Sequence, residues 1–245
     1  MANILIIETS TTQCSVALAE NGKAVSWKEE RAEQGYIHAE RLMPLIDELL
    51  QKHGWSRDSL DAVAVSGGPG SFTGLRIGVS TAKGICYALD VPLIALDTTA
   101  LLAVQGQRLD AKKQPRVAML DARRMEVYTA SYSDDGTCLT SVKPVEVDQH
   151  PEAFEGPGQF IGDGAVKCQD ALAGEGRTFV EAWPLARDGA ALAQLHFKRG
   201  DFADLGSYEP NYIKTFKAGQ PKDPLGLRAL ALSLIHISEP TRPID

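Results

Sequence analysis

The run Glu8-Thr9-Ser10-Thr11-Thr12 follows directly on the apolar stretch from Ile4 to Ile7. A carboxylate at a strand end beside hydroxyls makes an oxygen-rich site for a hard cation and a phosphate; equally, it can cap its own turn. A second such stretch is SGGPGSFTG, Ser66 to Gly74. Glycine freedom and the free amides of a helix start suit close approach to an anion there. Spacing excludes three familiar chemistries. Gly74 is followed by Leu75, so the lysine and hydroxyl of a Walker loop are missing. Neither Ser66 nor Ser71 has glycine two positions away on both sides, as a nucleophile elbow needs. Gly68, Gly70 and Gly74 are one residue too widely spaced for a dinucleotide fingerprint and follow a later strand. Three readings stay open: a turn that packs a helix on a sheet, a phosphate cradle made by Glu8, Thr9, Ser10, Gly70 and Ser71, or a joint for another protein.

Metal and thiol chemistry find little support. His38, His53, His150 and His196 have no partner at a four-residue spacing and no acid at a ligand spacing, so they read as lone core or surface histidines. Cys14, Cys86, Cys138 and Cys168 lie far apart, which gives neither a disulfide framework nor a thiolate zinc site. The formal charge of -7 excludes a broad basic face for gripping nucleic acid alone. The clusters at 111–116 and at Arg123-Arg124 read as solvated loop charges. No apolar run is long enough to cross a bilayer, and Met1-Ala2-Asn3 lacks the basic start of a signal peptide, so a cytoplasmic location is expected.

Hydrophobic periodicity supplies the elements that must carry these residues. Ile4 to Ile7, the alternating CSVALAE and the stretch after Asn21-Gly22 read as a three-stranded meander, the Asn-Gly pair forming its type I′ turn. Leu42, Leu45, Ile46, Leu49 and Leu50 fall on one face of a helix that stops at Gly54, with Pro44 expected to limit or bend its first turns. A strand AVAVS, a helix from Leu75 to Asp90 and a strand VPLIALD follow. Gly74, Gly78 and Ala82 recur every fourth residue in that helix, leaving a flat strip for another backbone.

From Arg116 the pattern restarts, with two strands around a turn at Ala122 to Arg124. A strand PVEV, a short helix near PEAFE, a strand QFIGDG and helices at AVKCQDALA and RDGAALAQLHFKRGD then complete a less regular half. The expected fold class is α/β, with lobes over 1–107 and 108–220. Each opens on a strand ending in an acid, Glu8 or Asp121, which suggests a duplicated nucleotide-binding architecture. The end, 232–245, reads as an adapter-derived tail and is set aside.

The segments IIETSTTQCSVAL, HAERLMPLIDELL, GPGSFTGLRIGVSTAKG, LDTTALLA and DARRMEVYTA, with EPNYIK near the end, together resemble the TsaB or YeaZ family, bacterial relatives of TsaD. The resemblance runs from Ile4 to about Lys214. It implies the two-lobed actin-like ATPase fold shared with sugar kinases, with a reduced second lobe. It also implies a non-catalytic subunit that pairs with TsaD, is joined by the ATPase TsaE, and works in making N6-threonylcarbamoyladenosine in tRNAs that read codons beginning with A. TsaC supplies the threonylcarbamoyl-adenylate in that pathway, and tRNA is met through the complex. The family implies no cofactor of the chain's own, ATP or ADP at the complex interface, a homodimer when the chain is alone, and no membrane. Partner contact would come from His38, Arg41, Leu42 and Leu45 on one helix and Leu75, Arg76, Gly78, Val79, Ala82 and Lys83 on the next. On that placement, leucine at Gly74 or Gly78 should block pairing and spare the fold.

TsaD-type proteins carry a His-x-x-x-His metal pair where this sequence has Thr98 and Leu102. A hydroxyl and an alkyl group cannot replace two imidazoles, so no catalytic metal is expected. The alternatives are an ATP-dependent small-molecule kinase of the same fold and a glycoprotease-like metallopeptidase. Against the kinase stands the second hairpin, whose Arg123 and Arg124 are bulky where close phosphate approach needs small residues.

Overall fold

The computed structural model describes residues 2–32 and 35–213. The meander forms as expected: β1 (Asn3–Glu8), β2 (Gln13–Glu20) and β3 (Lys23–Arg31) pair antiparallel. Asn21 and Gly22 supply the two positive φ angles, 53° and 80°, that the tight turn requires. α1 (His38–His53) ends on Gly54, whose φ of 79° lets its amide satisfy the carbonyls of Leu50 and Gln51. Pro44 does not interrupt it; the helix runs unbroken for 16 residues. β4 (Ala62–Gly68), α2 (Phe72–Leu89) and β5 (Leu93–Asp97) follow. β4 pairs parallel to β1 and β5 parallel to β4, which explains why these strands are continuously apolar and not alternating.

The second sheet repeats the plan. β6 (Arg116–Asp121), β7 (Glu126–Tyr132) and β8 (Cys138–Glu146) form an antiparallel meander; β9 (Gly158–Ile161) and β10 (Arg177–Val180) add parallel strands beyond β6. The orders β3-β2-β1-β4-β5 and β8-β7-β6-β9-β10 are the same order twice. This is the two-lobed α/β architecture of the actin-like fold. Its second half is reduced: the helices expected near 151–155 and 165–173 are 3₁₀ turns, Pro151–Ala153 and Val166–Cys168, and the single-turn α4 (Gln169–Leu172).

Two helices correct the expected lobe boundary. α3 (Thr98–Leu109), which periodicity does not reveal, begins on an Asp97 cap and lies between the sheets. Its Leu101 joins the first sheet's core, while Leu102 and Ala103 join that of the second. A division after residue 107 therefore cuts a helix shared by both halves. α5 (Ala190–Arg199), expected in the second lobe, packs instead on the first sheet, where Ala190 and Ala193 join the core formed by Ile4, Ile6, Ala17, Ala62, Ala64 and Ile94. The opposite face of that sheet is covered by α1 and α2. The tail at 232–245 lies outside the described residues.

Candidate functional site

The turn between β1 and β2 folds inward and is buried at Thr9, Ser10 and Thr11. Ser10 donates both its amide and its hydroxyl to Glu8 Oε1, and the Ser66 hydroxyl donates to Glu8 Oε2. Glu8 is fully buried, and desolvation pushes its carboxyl up to about 7 against these three donors. The glycine turn closes over this knot. The Ser71 amide donates to the Ser10 carbonyl at 2.6 Å, and a Cβ on Gly70 would overlap that same carbonyl. Ser71 caps α2 by accepting from the Gly74 amide at 3.3 Å. Of the five residues read as a phosphate cradle, all are brought together. Glu8 and Ser10, however, spend their polar groups on each other, and the Ser71 amide is spent on Ser10.

The small residues of α2 face the same turn. A Cβ on Gly74 would overlap the Thr9 carbonyl, and one on Gly78 would overlap the Thr9 hydroxyl, which itself donates to the Gly74 carbonyl at 2.8 Å. His38 closes the assembly from α1. Its Nε2 lies 2.8 Å from the Thr11 carbonyl; because a carbonyl only accepts, the proton sits on Nε2, and burial lowers the imidazole's pKa. The strip Gly74, Gly78 and Ala82 is therefore a joint within the chain. The expectation that leucine at Gly74 or Gly78 would spare the fold is corrected: either side chain would strike the β1–β2 turn.

Seven of the ten expected partner contacts are corrected by burial. His38, Leu42, Leu45, Leu75, Gly78, Val79 and Ala82 are buried in the chain's own interior. Arg41 donates to Glu30 at 2.7 and 2.6 Å and reaches Glu48. Lys83 donates to the carbonyls of Gly206 and Tyr208. Arg76 remains exposed, 4.6 Å over the Phe72 ring. What α1 and α2 do present is a groove of about 450 Å³ between them, with Met43 and Ala88 exposed at its rim, Thr81, Ile85 and Leu89 half-buried along it, and Ile46 and Leu50 buried at its floor. Gly84 lies in it with nothing within 4 Å of the place a Cβ would take, and Tyr87 nearby is 83% exposed. The available signal for these residues was the surplus of apolar side chains on α2: Ile77, Ile85 and Tyr87 lie off its buried stripe.

The second hairpin is also self-satisfied. Arg123 and Arg124 take positive φ angles of 73° and 51° at its tip, and Lys167 donates to Asp121 and to the carbonyls of Arg124 and Glu126. Asp163 accepts the Asp121 amide at 2.9 Å, and burial pushes its carboxyl up to about 6. Thr98 and Leu102 lie in α3 at full burial, Leu102 as core, so this pair offers one hydroxyl and no nitrogen. No helix among the described residues is long and apolar enough to cross a membrane.

The family model described as TsaD, tRNA N6-adenosine threonylcarbamoyltransferase, matches residues 33–188. The chain is similar to the tRNA threonylcarbamoyladenosine biosynthesis protein TsaB of Escherichia coli K12, 29% identical over 221 residues that cover 86% of this chain and 94% of that protein. TsaB of Bacillus subtilis 168 is 33% identical over 141 residues, 58% of this chain and 59% of that one. The solved structure of YeaZ from Pseudomonas aeruginosa superposes with a TM-score of 0.76 at 29% identity, covering 86% of this chain and 100% of that chain. With the duplicated sheet order and this coverage, the chain belongs to the TsaB (YeaZ) family of TsaD-like proteins.

Proposed function

We propose that the chain is a non-catalytic subunit for N6-threonylcarbamoyladenosine modification of tRNA, and that it pairs with a TsaD-type transferase through the face between α1 and α2. The observation that carries this reading is the apolar groove of about 450 Å³ on that face. Exposed apolar surface of this kind marks a protein contact. The support for the non-catalytic part is that Glu8, which is fully buried, and Asp121 and Asp163 are engaged by the chain's own donors. Any ATP or ADP belongs at the interface with the partner, TsaE joins the pair there, and tRNA is met through the complex in the cytoplasm. Left alone, the chain would cover the groove with a second copy.

Size-exclusion chromatography with light scattering, with and without TsaD from the same source, tests the pairing. The expected result is a one-to-one heterodimer that restores threonylcarbamoyl transfer. Gly84→Arg should fill the groove and abolish the heterodimer at an unchanged melting temperature. A chain that ignores TsaD yet phosphorylates a small substrate with ATP would overturn the proposal.

A further inference from the structure

After α5 the chain returns as a strap, residues 203–213, with one turn at 205–207, across β5 and the start of α2. The Ala203 amide donates to the Leu93 carbonyl at 2.9 Å, and the Asn211 amide to the Gly67 carbonyl at 2.7 Å. Lys83 holds the middle of the strap through the carbonyls of Gly206 and Tyr208, at 3.3 and 3.1 Å. The Tyr212 ring lies 4.8 Å from that of Phe72. Gly67 and Gly68 make room for this passage: a Cβ on Gly67 would overlap the Tyr208 hydroxyl, and one on Gly68 would stand 2.9 Å from the Asn211 carbonyl. Part of the glycine turn is thus shaped by the strap.

Strap and helix enclose a second, smaller cleft of about 190 Å³, with Arg76, Ser80 and Lys83 on one wall and Tyr208, Glu209 and Tyr212 on the other. Ser80 also lines the apolar groove, so one ridge of α2 separates the two depressions. Lys83 has acids close by, Glu209 in the cleft and Asp204 on the strap, whose carboxyl is held below the usual range by hydrogen bonds from Ser207 with help from the Lys83 charge, whereas Arg76 stands at the exposed edge. Among the described residues neither Arg76 nor Lys83 pairs with a carboxylate: Arg76 rests on a ring and Lys83 on carbonyls.

We infer that the strap is the second half of the partner-binding face, and that its cleft receives an acidic side chain of the same subunit that fills the apolar groove. This rests on the subunit reading above. Continuity across Ser80 supplies the geometry, and Arg76, exposed and without a carboxylate partner among the described residues, supplies the charge complementarity. The strap also explains why Lys83, an α2 residue beside the groove, is spent on holding backbone.

The dissociation constant of the full chain with TsaD tests the inference at low and high salt, with melting temperatures as a check on the fold. Arg76→Glu should weaken pairing about tenfold and Tyr212→Ala about fivefold, whereas Glu209→Lys should strengthen it about threefold. The two charge effects should shrink at high salt, which a loss of folding would not do. If Gly84→Arg abolishes pairing while these three variants stay within about twofold of the parent, the strap lies outside the interface and the inference falls with the subunit reading intact. If the unaltered chain does not pair with TsaD, the subunit reading falls and takes the strap with it.

Discussion

Glu8 concentrates the physical tension of the fold in one carboxyl. Three donors from Ser10 and Ser66 stabilise its charged form, and complete burial opposes them more strongly, with Asp163 adding repulsion. Its folded value of about 7 lies above the ordinary 4.5. For an acid raised in the folded state, the stabilising contribution is fully present below about pH 4.5 and is lost as pH rises through about 7. Stability should therefore fall between pH 5 and 8 by on the order of 2–3 kcal/mol from this group, with Asp163 acting in the same direction at slightly lower pH. Glu8→Gln removes the charge and keeps the contacts, its oxygen accepting from Ser10 and its nitrogen donating to Ser66. Thermal melts from pH 5 to 8 should show the variant more stable than the parent at pH 8, with a flatter profile. A variant less stable at pH 8 would mean that a counter-charge holds the native carboxylate ionised.

At the scale of elements, α2 is seated on the β1–β2 turn through Thr9. Gly78→Ala should cost about 2 kcal/mol by overpacking, because its methyl meets the Thr9 hydroxyl. Thr9→Ala should cost about 1 kcal/mol for the bond to Gly74. Combined, they should cost less than their sum by about 1 kcal/mol, since the new methyl enters the space the hydroxyl leaves; urea unfolding of the four proteins measures this coupling. Strict additivity would show that α2 shifts as a body instead. The elements differed in how far sequence revealed them. The apolar face of α1 was legible because each of its turns buries one stripe, from Leu42 to Leu50. The four-residue spacing of Gly74, Gly78 and Ala82 announced a close approach but not to what, since Thr9 lies 65 residues upstream of Gly74. α3 escaped notice because it buries opposite sides in two sheets, which erases the amphipathic period; only its Asp97-Thr98-Thr99 start was a local signal. β10, four residues with little burial, carried no pattern to read.

The molecule as a whole is held by exchange between its halves. Arg108 on α3 donates to Asp188, ahead of α5, at 2.7 and 3.1 Å, and the Asp188 side chain is only 2% exposed. Arg108→Ala should destabilise by about 2 kcal/mol, because it strands a buried carboxylate, the figure being reduced by the 41% exposure of the arginine side chain. Denaturant unfolding measures it, and a loss below about 0.5 kcal/mol would show that water replaces the guanidinium. The duplication was visible in sequence through the two strand-end acids and the restart at Arg116. The crossing of the last helix was not, since the apolar faces of the two sheets are chemically equivalent and nothing local chooses between them. That crossing also has a consequence for synthesis. The first sheet is translated early, yet the helix that covers Ile4, Ile6, Ala62 and Ala64 ends at Arg199. A nascent chain thus carries an uncovered apolar sheet until most of its length has left the ribosome, and the interval before α5 emerges is when it most needs a chaperone.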